Sequence, residues 1–291
     1  MSISASMVKE LRERTGAGMM ECKKALVETD GQMDAAVELL RKSGQAKADK
    51  KSSRVAADGR VVIKTDGLNA AMIEINSETD FVAKDENFVA YADAVAACVL
   101  GSDAADVEAL AAEALSDGRT VEAARTDLVA KVGENISVRR FAKIEAAEHL
   151  GSYAHHGARI GAVVSLQGGD DELARDIAMH VAATNPVCVD EGGVPAETLE
   201  RERRIFSEQA AESGKPPEII EKMVTGRVAK FLQEVTLLGQ PFVKNPDTSV
   251  GKLLQGAGAE VTGFVRFEVG EGIEKKAEDF VAEVMSQVRQ G

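Results

Sequence analysis

Residues 59–76 read GRVVIKTDGLNAAMIEIN. Two apolar runs flank Asp66-Gly67, a dipeptide that favours a tight turn because glycine takes up positive φ without steric cost. The stretch therefore predicts an antiparallel hairpin. A helical pattern follows, in which Phe88, Tyr91, Ala92, Val95 and Val99 recur at spacings of three and four. Further on, RRFAKI at 139–144 and IGAVVSL at 160–166 again read as paired strands. They lead into a helix over 172–184 with Leu173, Ile177 and Val181 on one face. Two strand-strand-helix units in succession point to an α+β fold, with antiparallel sheets and helices to one side. The likeness between the units is one of pattern, as in a degenerate internal repeat.

Ahead of this two-part core, residues 4–43 predict three short helices. Val8 and Leu11 mark the first. The second runs over Met19–Glu28 with Cys22, Ala25 and Leu26 on one face, and the third carries Met33, Ala36, Val37 and Leu40 and stops before Gly44. The basic run KADKKSSR at 47–54 reads as a linker, either a solvated tether or a contact for an acidic helix of a partner. Residues 104–132 are Ala-rich and helical in pattern. Between Pro195 and Leu238, two charged helices flank Ser213-Gly214-Lys215-Pro216-Pro217, the form of a helical hairpin. Ile205, Phe206, Ile219, Ile220, Met223 and Phe231 either close that hairpin on itself or offer a second protomer a surface. Alternation from Val261 to Val269 predicts a strand, and Phe280, Val284 and Val288 form the stripe of an amphipathic terminal helix. The expected division is 1–54 for the three-helix module and linker, 55–140 for the first half of the core, 141–269 for the second half with a hairpin insertion at about 190–238, and 270–291 for a C-terminal helical module.

Composition narrows the function classes. A net charge of −13 argues against direct nucleic-acid binding, which needs concentrated Lys and Arg. The three cysteines, Cys22, Cys98 and Cys188, are far apart and show no CxxC, so neither a disulfide framework nor a zinc clip is indicated. No signal-peptide core and no membrane-spanning run is visible, and a reduced cytoplasmic protein is the expectation. There is no phosphate-binding GxxxxGK[ST], no GxSxG and no HExxH. Among His149, His155, His156 and His180, none has a Cys partner at metal-ligand spacing, and His180 reads as a packed core residue. These absences favour a binding protein over an enzyme; no catalytic, cofactor or metal residue is assigned.

One short segment stands out. EINSETDFVAKDENF, residues 74–88, carries Phe81 at a strand-to-helix corner among Glu78, Asp80, Asp85 and Glu86. A calcium loop beginning at Asp80 would need glycine at its sixth position, where Asp85 stands, and Phe81, Val82 and Ala83 fill its front. The metal reading fails. Phe81 is then either the first core residue of the next helix, seven residues before Phe88, or a side chain meant for a partner.

Two segments closely resemble the elongation factor Ts family: LRERTGAGMMECKKAL at 11–26 and EINSETDFVAK at 74–84. The likeness continues through SYAHHGARIG at 152–161, GQPFV at 239–243 and VTGFVRFEVGEG at 261–272, covering essentially the whole chain in order. The resemblance implies a guanine-nucleotide exchange factor for the GTPase elongation factor Tu. It also implies an N-terminal module similar to ubiquitin-associated domains, a two-part core, a protruding hairpin and a C-terminal module. By the same resemblance, Thr79, Asp80 and Phe81 insert beside the GTPase's magnesium and phosphate region. Met19, Met20, Cys22 and Lys23 belong to an N-terminal contact, and His155 is an interface residue in a Tyr-x-His-x-Gly-x-Arg pattern. His156 fills a variable position there. The hairpin, or the core, would also offer a surface for a homodimer. A rival reading is an adaptor or chaperone-like scaffold that uses the N-terminal module and the hairpin.

Overall fold

The computed structural model describes residues 3–274. The expected terminal helix with Phe280, Val284 and Val288 lies outside the described residues.

The N-terminal module consists of α1 (Ala5–Thr15), α2 (Met19–Glu28) and α3 (Met33–Lys51). Ser4 caps α1 through its side chain, and Gly16, at φ 66°, ends it in the left-handed conformation that glycine adopts freely. Val8, Leu11, Cys22, Ala25, Leu26 and Ala36 close a small core of their own. The third helix does not stop at Gly44, however. It continues to Lys51 and absorbs most of the expected linker. Gly44 and Ala48 are buried where α3 lies against α7 (Val121–Val132), and a Cβ built on Gly44 would sit 3.6 Å from the Cβ of Ala130. Here the small residue serves close helix packing rather than a helix stop. The Lys51 ammonium reaches the carbonyl of Gly133, and Thr126 donates to Gln45. The module is thus docked on the core and not tethered to it.

The core holds two three-stranded antiparallel sheets of equivalent topology. In the first, β1 (Asp58–Asp66) and β2 (Asn69–Ser77) form the predicted hairpin, and β3 (Ile136–Glu145) pairs with the far edge of β2. Between them the chain makes α4 (Asp80–Ala83), α5 (Glu86–Gly101), α6 (Val107–Ala111) and α7. In the second sheet, β4 (His149–Ala154) and β5 (Ile160–Gln167) form the hairpin, and β8 (Glu260–Glu268) pairs with β5. The intervening elements are α8 (Asp171–Thr184), α9 (Ala196–Ala211), α10 (Pro217–Val235), the two-stranded β6 (Pro241–Phe242) and β7 (Asn245–Ser249), and α11 (Val250–Ala257). Residues 139–144 therefore do not pair with 160–166, as their patterns suggested. They complete the first sheet, and the partner of β5 is the short β4, whose sequence HLGSYA lacks a clear apolar alternation. The expected boundary at 140/141 consequently falls inside β3.

The duplication extends to detail: each central strand has a register shift against its third strand, between Glu74 and Ile75 and between Ser165 and Leu166. The two sheets pack face to face over Val61, Met72, Val163 and Phe267. Their outer faces carry helices, α5 and α7 on Ile73 and Ile75, α8 and α11 on Val164 and Leu166. Both central strands are thus covered on both sides, which explains their near-continuous apolar runs. Contact between the sheets is close at Gly161, where an added Cβ would meet the Val61 side chain at 2.6 Å.

α9 and α10 form the helical hairpin and close on each other through Ala210, Val224 and Val228, with Phe206 and Phe231 edge to face at 6.5 Å. Of the two roles left open for its apolar residues, the first is thereby accounted for, although Ile219 stays exposed.

His180 on α8 is a fully buried core residue. Its Nδ1 accepts the Val243 N–H at 3.2 Å, so Nε2 carries the proton and donates to Gln240 Oε1 at 2.9 Å. Burial pushes its pKa below the usual histidine range, against the opposing pull of Gln240. In the folded state this group binds a proton less readily than in the unfolded chain, so acid favours unfolding. Stability should therefore fall as pH drops below the unfolded value of about 6.5. Thermal melts at pH 8 and 5.5 check this, and the slope should be shallower in a His180→Phe variant.

Candidate functional site

Ser77 ends β2, and its hydroxyl donates to the Thr79 carbonyl at 2.9 Å. Thr79 caps α4, its hydroxyl accepting the Val82 N–H at 3.4 Å. Glu134, just before β3, takes both donors of that residue: the Thr79 N–H at 3.0 Å and the Thr79 hydroxyl proton at 2.7 Å. In the other direction, Glu78 accepts the Asn135 N–H at 2.6 Å. The corner is therefore held by carboxylates from both sides.

On this braced turn Phe81 is 81% exposed, the most exposed large hydrophobic side chain among the described residues. The core alternative is thereby overturned. Lys84 ends α4, and Asp85 takes an extended conformation at φ −63°, ψ 135° before α5 begins. The break removes the helical phase that a seven-residue spacing would give, so Phe88 is fully buried and Phe81 is not. The other acids have local duties. Asp80 pairs with Lys84 at 2.6 Å, and Asp85 caps α5, accepting the N–H groups of Asn87 and Phe88. Its hydrogen bond from the Asn87 side chain holds the Asp85 carboxyl below the usual carboxylate range. No group of three or more His, Cys, Asp or Glu that could hold a metal occurs among the described residues.

The other sequence-selected residues lie elsewhere. Met19 and Met20 are 58% and 65% exposed on α2, and Lys23 is exposed beside them. Cys22 requires a correction. It is fully buried in the module core, one position out of phase with that outer face, and cannot meet a partner directly. His155 is exposed at the end of β4, with its Nδ1 3.4 Å from the Tyr153 hydroxyl. Gly157 and Ala158 then turn the chain at φ 81° and 56°, and Arg159 anchors the loop to Asp58 of β1 at 2.7 Å.

Comparison with known proteins converges on one answer. The family model described as Elongation factor TS matches residues 78–271. Relatives named Elongation factor Ts include those of Thioalkalivibrio sulfidiphilus, 64% identical, and Methylococcus capsulatus, 60% identical, each aligned over 99% of both chains. That of Legionella pneumophila is 58% identical over 99% of both chains. The chain belongs to the elongation factor Ts family.

The elongation factor Ts match begins at Glu78, beside the braced turn, while the relatives also cover the N-terminal module. Two features of the candidate site had escaped the sequence. Val27, 59% exposed, extends the outer face of α2 and shares the i, i+4, i+8 row of Met19 and Lys23. Glu134 and Asn135 stand 55 to 57 residues from the turn they hold, and nothing in local pattern marks them.

Proposed function

We propose that this protein is a guanine-nucleotide exchange factor that binds elongation factor Tu, disturbs its magnesium and phosphate site and promotes GDP release during translation elongation. The observation that carries the reading is Phe81: a large aromatic side chain left in solvent at the tip of a turn that is itself rigidly braced. An exposed phenylalanine forgoes about 2–3 kcal/mol of burial, which a partner surface can recover. Thr79-Asp80-Phe81 is the wedge. Met19, Met20 and Lys23 on the ubiquitin-associated-like module over residues 1–54, and His155 in the second half of the core, are further contacts. The protein acts by binding, performs no covalent step and works in the cytoplasm without contacting nucleic acid directly; the hairpin, or the core, is the surface for any homodimer.

Magnitudes divide the labour. A GTPase holding GDP at nanomolar Kd does so with about 12 kcal/mol. One buried phenylalanine supplies about 2–3 kcal/mol, so Phe81 cannot expel the nucleotide unaided. The broad contacts supply affinity and the turn supplies coupling, which is reciprocal: GDP must weaken binding of this protein as much as this protein weakens GDP. The test is release of fluorescent GDP from elongation factor Tu with and without the protein. Acceleration is expected, and an unchanged release rate sinks the proposal. If residues 1–54 alone bound a target tightly, the adaptor reading would gain instead.

A further inference from the structure

The segment Gly133-Glu134-Asn135 joins α7 to β3 and touches two parts of the molecule at once. Toward the turn, Glu134 receives both the N–H and the hydroxyl of Thr79, while the Asn135 N–H is received by Glu78. Each loop thus presents a carboxylate to a backbone N–H of the other, a reciprocal clasp of charge-assisted bonds. Toward the N-terminal module, the buried Asn135 side chain donates to the carbonyl of Arg54 at 2.7 Å and to that of Ser52 at 3.4 Å. Lys51 adds a bond to the Gly133 carbonyl.

We infer that Glu134 is a positioning residue for nucleotide exchange: its carboxylate sets the Thr79 cap and so aims Phe81, while Asn135 registers the N-terminal module against the same segment. The inference rests on the proposed role of the turn. Thr79 has one hydroxyl, which must donate to one group and accept from another. With Glu134 taking its proton, the lone pair is directed to Val82 N–H and the first turn of α4 is fixed. Without Glu134 the hydroxyl rotates freely and the Thr79 N–H loses its acceptor. The core beneath is untouched, because Ala83 and Phe88 are held by apolar contacts. A loosened wedge would still bind, but its side chain would spread over many directions, and the penalty would fall on the step in which it must enter the partner.

The test uses the full chain and a Glu134→Ala variant. At saturating factor, the GDP-release rate should fall about tenfold, equivalent to roughly 1.4 kcal/mol lost from the step in which Phe81 enters the partner. The concentration for half-maximal effect and the melting temperature should change little. Glu134→Gln, which keeps one acceptor oxygen for the Thr79 N–H, should recover part of the rate. A second readout needs no partner: amide hydrogen exchange at Thr79 and Val82 should speed up in Glu134→Ala while Phe88 stays protected. A failure of the wild-type chain to release GDP would refute the proposed function and leave this measurement standing. Unchanged amide exchange would overturn the positioning role. So would a rate loss that merely follows a lower melting temperature or a weaker half-maximal concentration.

Discussion

Replacing Phe81 by alanine is expected to reduce GDP release at saturating factor by about thirty- to 150-fold, the equivalent of the roughly 2–3 kcal/mol that a buried phenylalanine contributes. The same change should leave the melting temperature within a degree or two. Phe81 is 81% exposed, so the free protein loses almost no buried area when the ring is removed. Exposed substitutions of this kind usually stay within about 0.5 kcal/mol. The turn itself is held by Glu134, Glu78 and Ser77 through bonds that do not involve the ring. Stopped-flow release of fluorescent GDP and a thermal melt on the same preparation check both halves of the expectation. A variant that melts many degrees lower would return Phe81 to the core. Full activity in a well-folded variant would remove it from the exchange step altogether.

The contrast between Phe81 and Phe88 shows what a sequence does and does not disclose here. Their spacing of seven suits one continuous helix face, and both are aromatic. Only the helix break at Lys84-Asp85 separates them, and the residue that makes it, an Asp at an N-cap, is a signal that local reading can use. The elements stabilised by local chemistry were legible for this reason. The Asp66-Gly67 turn, the helix over Met19–Glu28 and the Gly214-to-Pro217 reversal between α9 and α10 each carry their own stop and start residues. Pairings decided at a distance were not. Residues 139–144 look like a strand in isolation, but whether they pair with β2 or β5 depends on which sheet edge is free after the hairpins form. Gly44 carries the same ambiguity, since a helix stop and a close helix contact use the same residue, and only the presence of Ala130 opposite resolves it. The brace at Glu134 follows the same rule, because a carboxylate has no pattern until its acceptor role is filled from a distant turn.

Glu74 carries the second large effect. It stands on β2 with its side chain fully buried, receiving Arg139 at 2.9 Å and Arg140 at 2.6 Å from the neighbouring strand. The Asn76 amide at 3.1 Å and the Gly270 N–H at 2.8 Å complete its coordination. Gly270 follows β8, so this single carboxylate ties the first sheet to the end of the second, and Arg140 reinforces the joint by lying 4.3 Å from the Phe267 ring centre. Glu74→Ala leaves two guanidinium groups facing a vacated site, and removing one partner of a buried ionic group costs about 3–5 kcal/mol. For a chain of this size that corresponds to a fall in melting temperature on the order of 10 °C. Glu74→Gln keeps an acceptor for some of these donors and turns an amide toward another, so its loss should be smaller. Burial alone would push the Glu74 carboxyl up, but the Gly270 N–H, Arg139, Asn76 and Arg140 outweigh it and hold the pKa below the usual carboxylate range. A depressed folded value means the stabilisation is fully present above the unfolded value of about 4.3 and is lost as pH falls through the folded one. Calorimetry from pH 6 to 3 should therefore show a steeper acid loss in the wild type than in Glu74→Gln. Phe81→Ala, with every Glu74 contact intact, should keep the wild-type slope; equal slopes in the wild type and Glu74→Gln would show that the joint between the sheets does not depend on this charge.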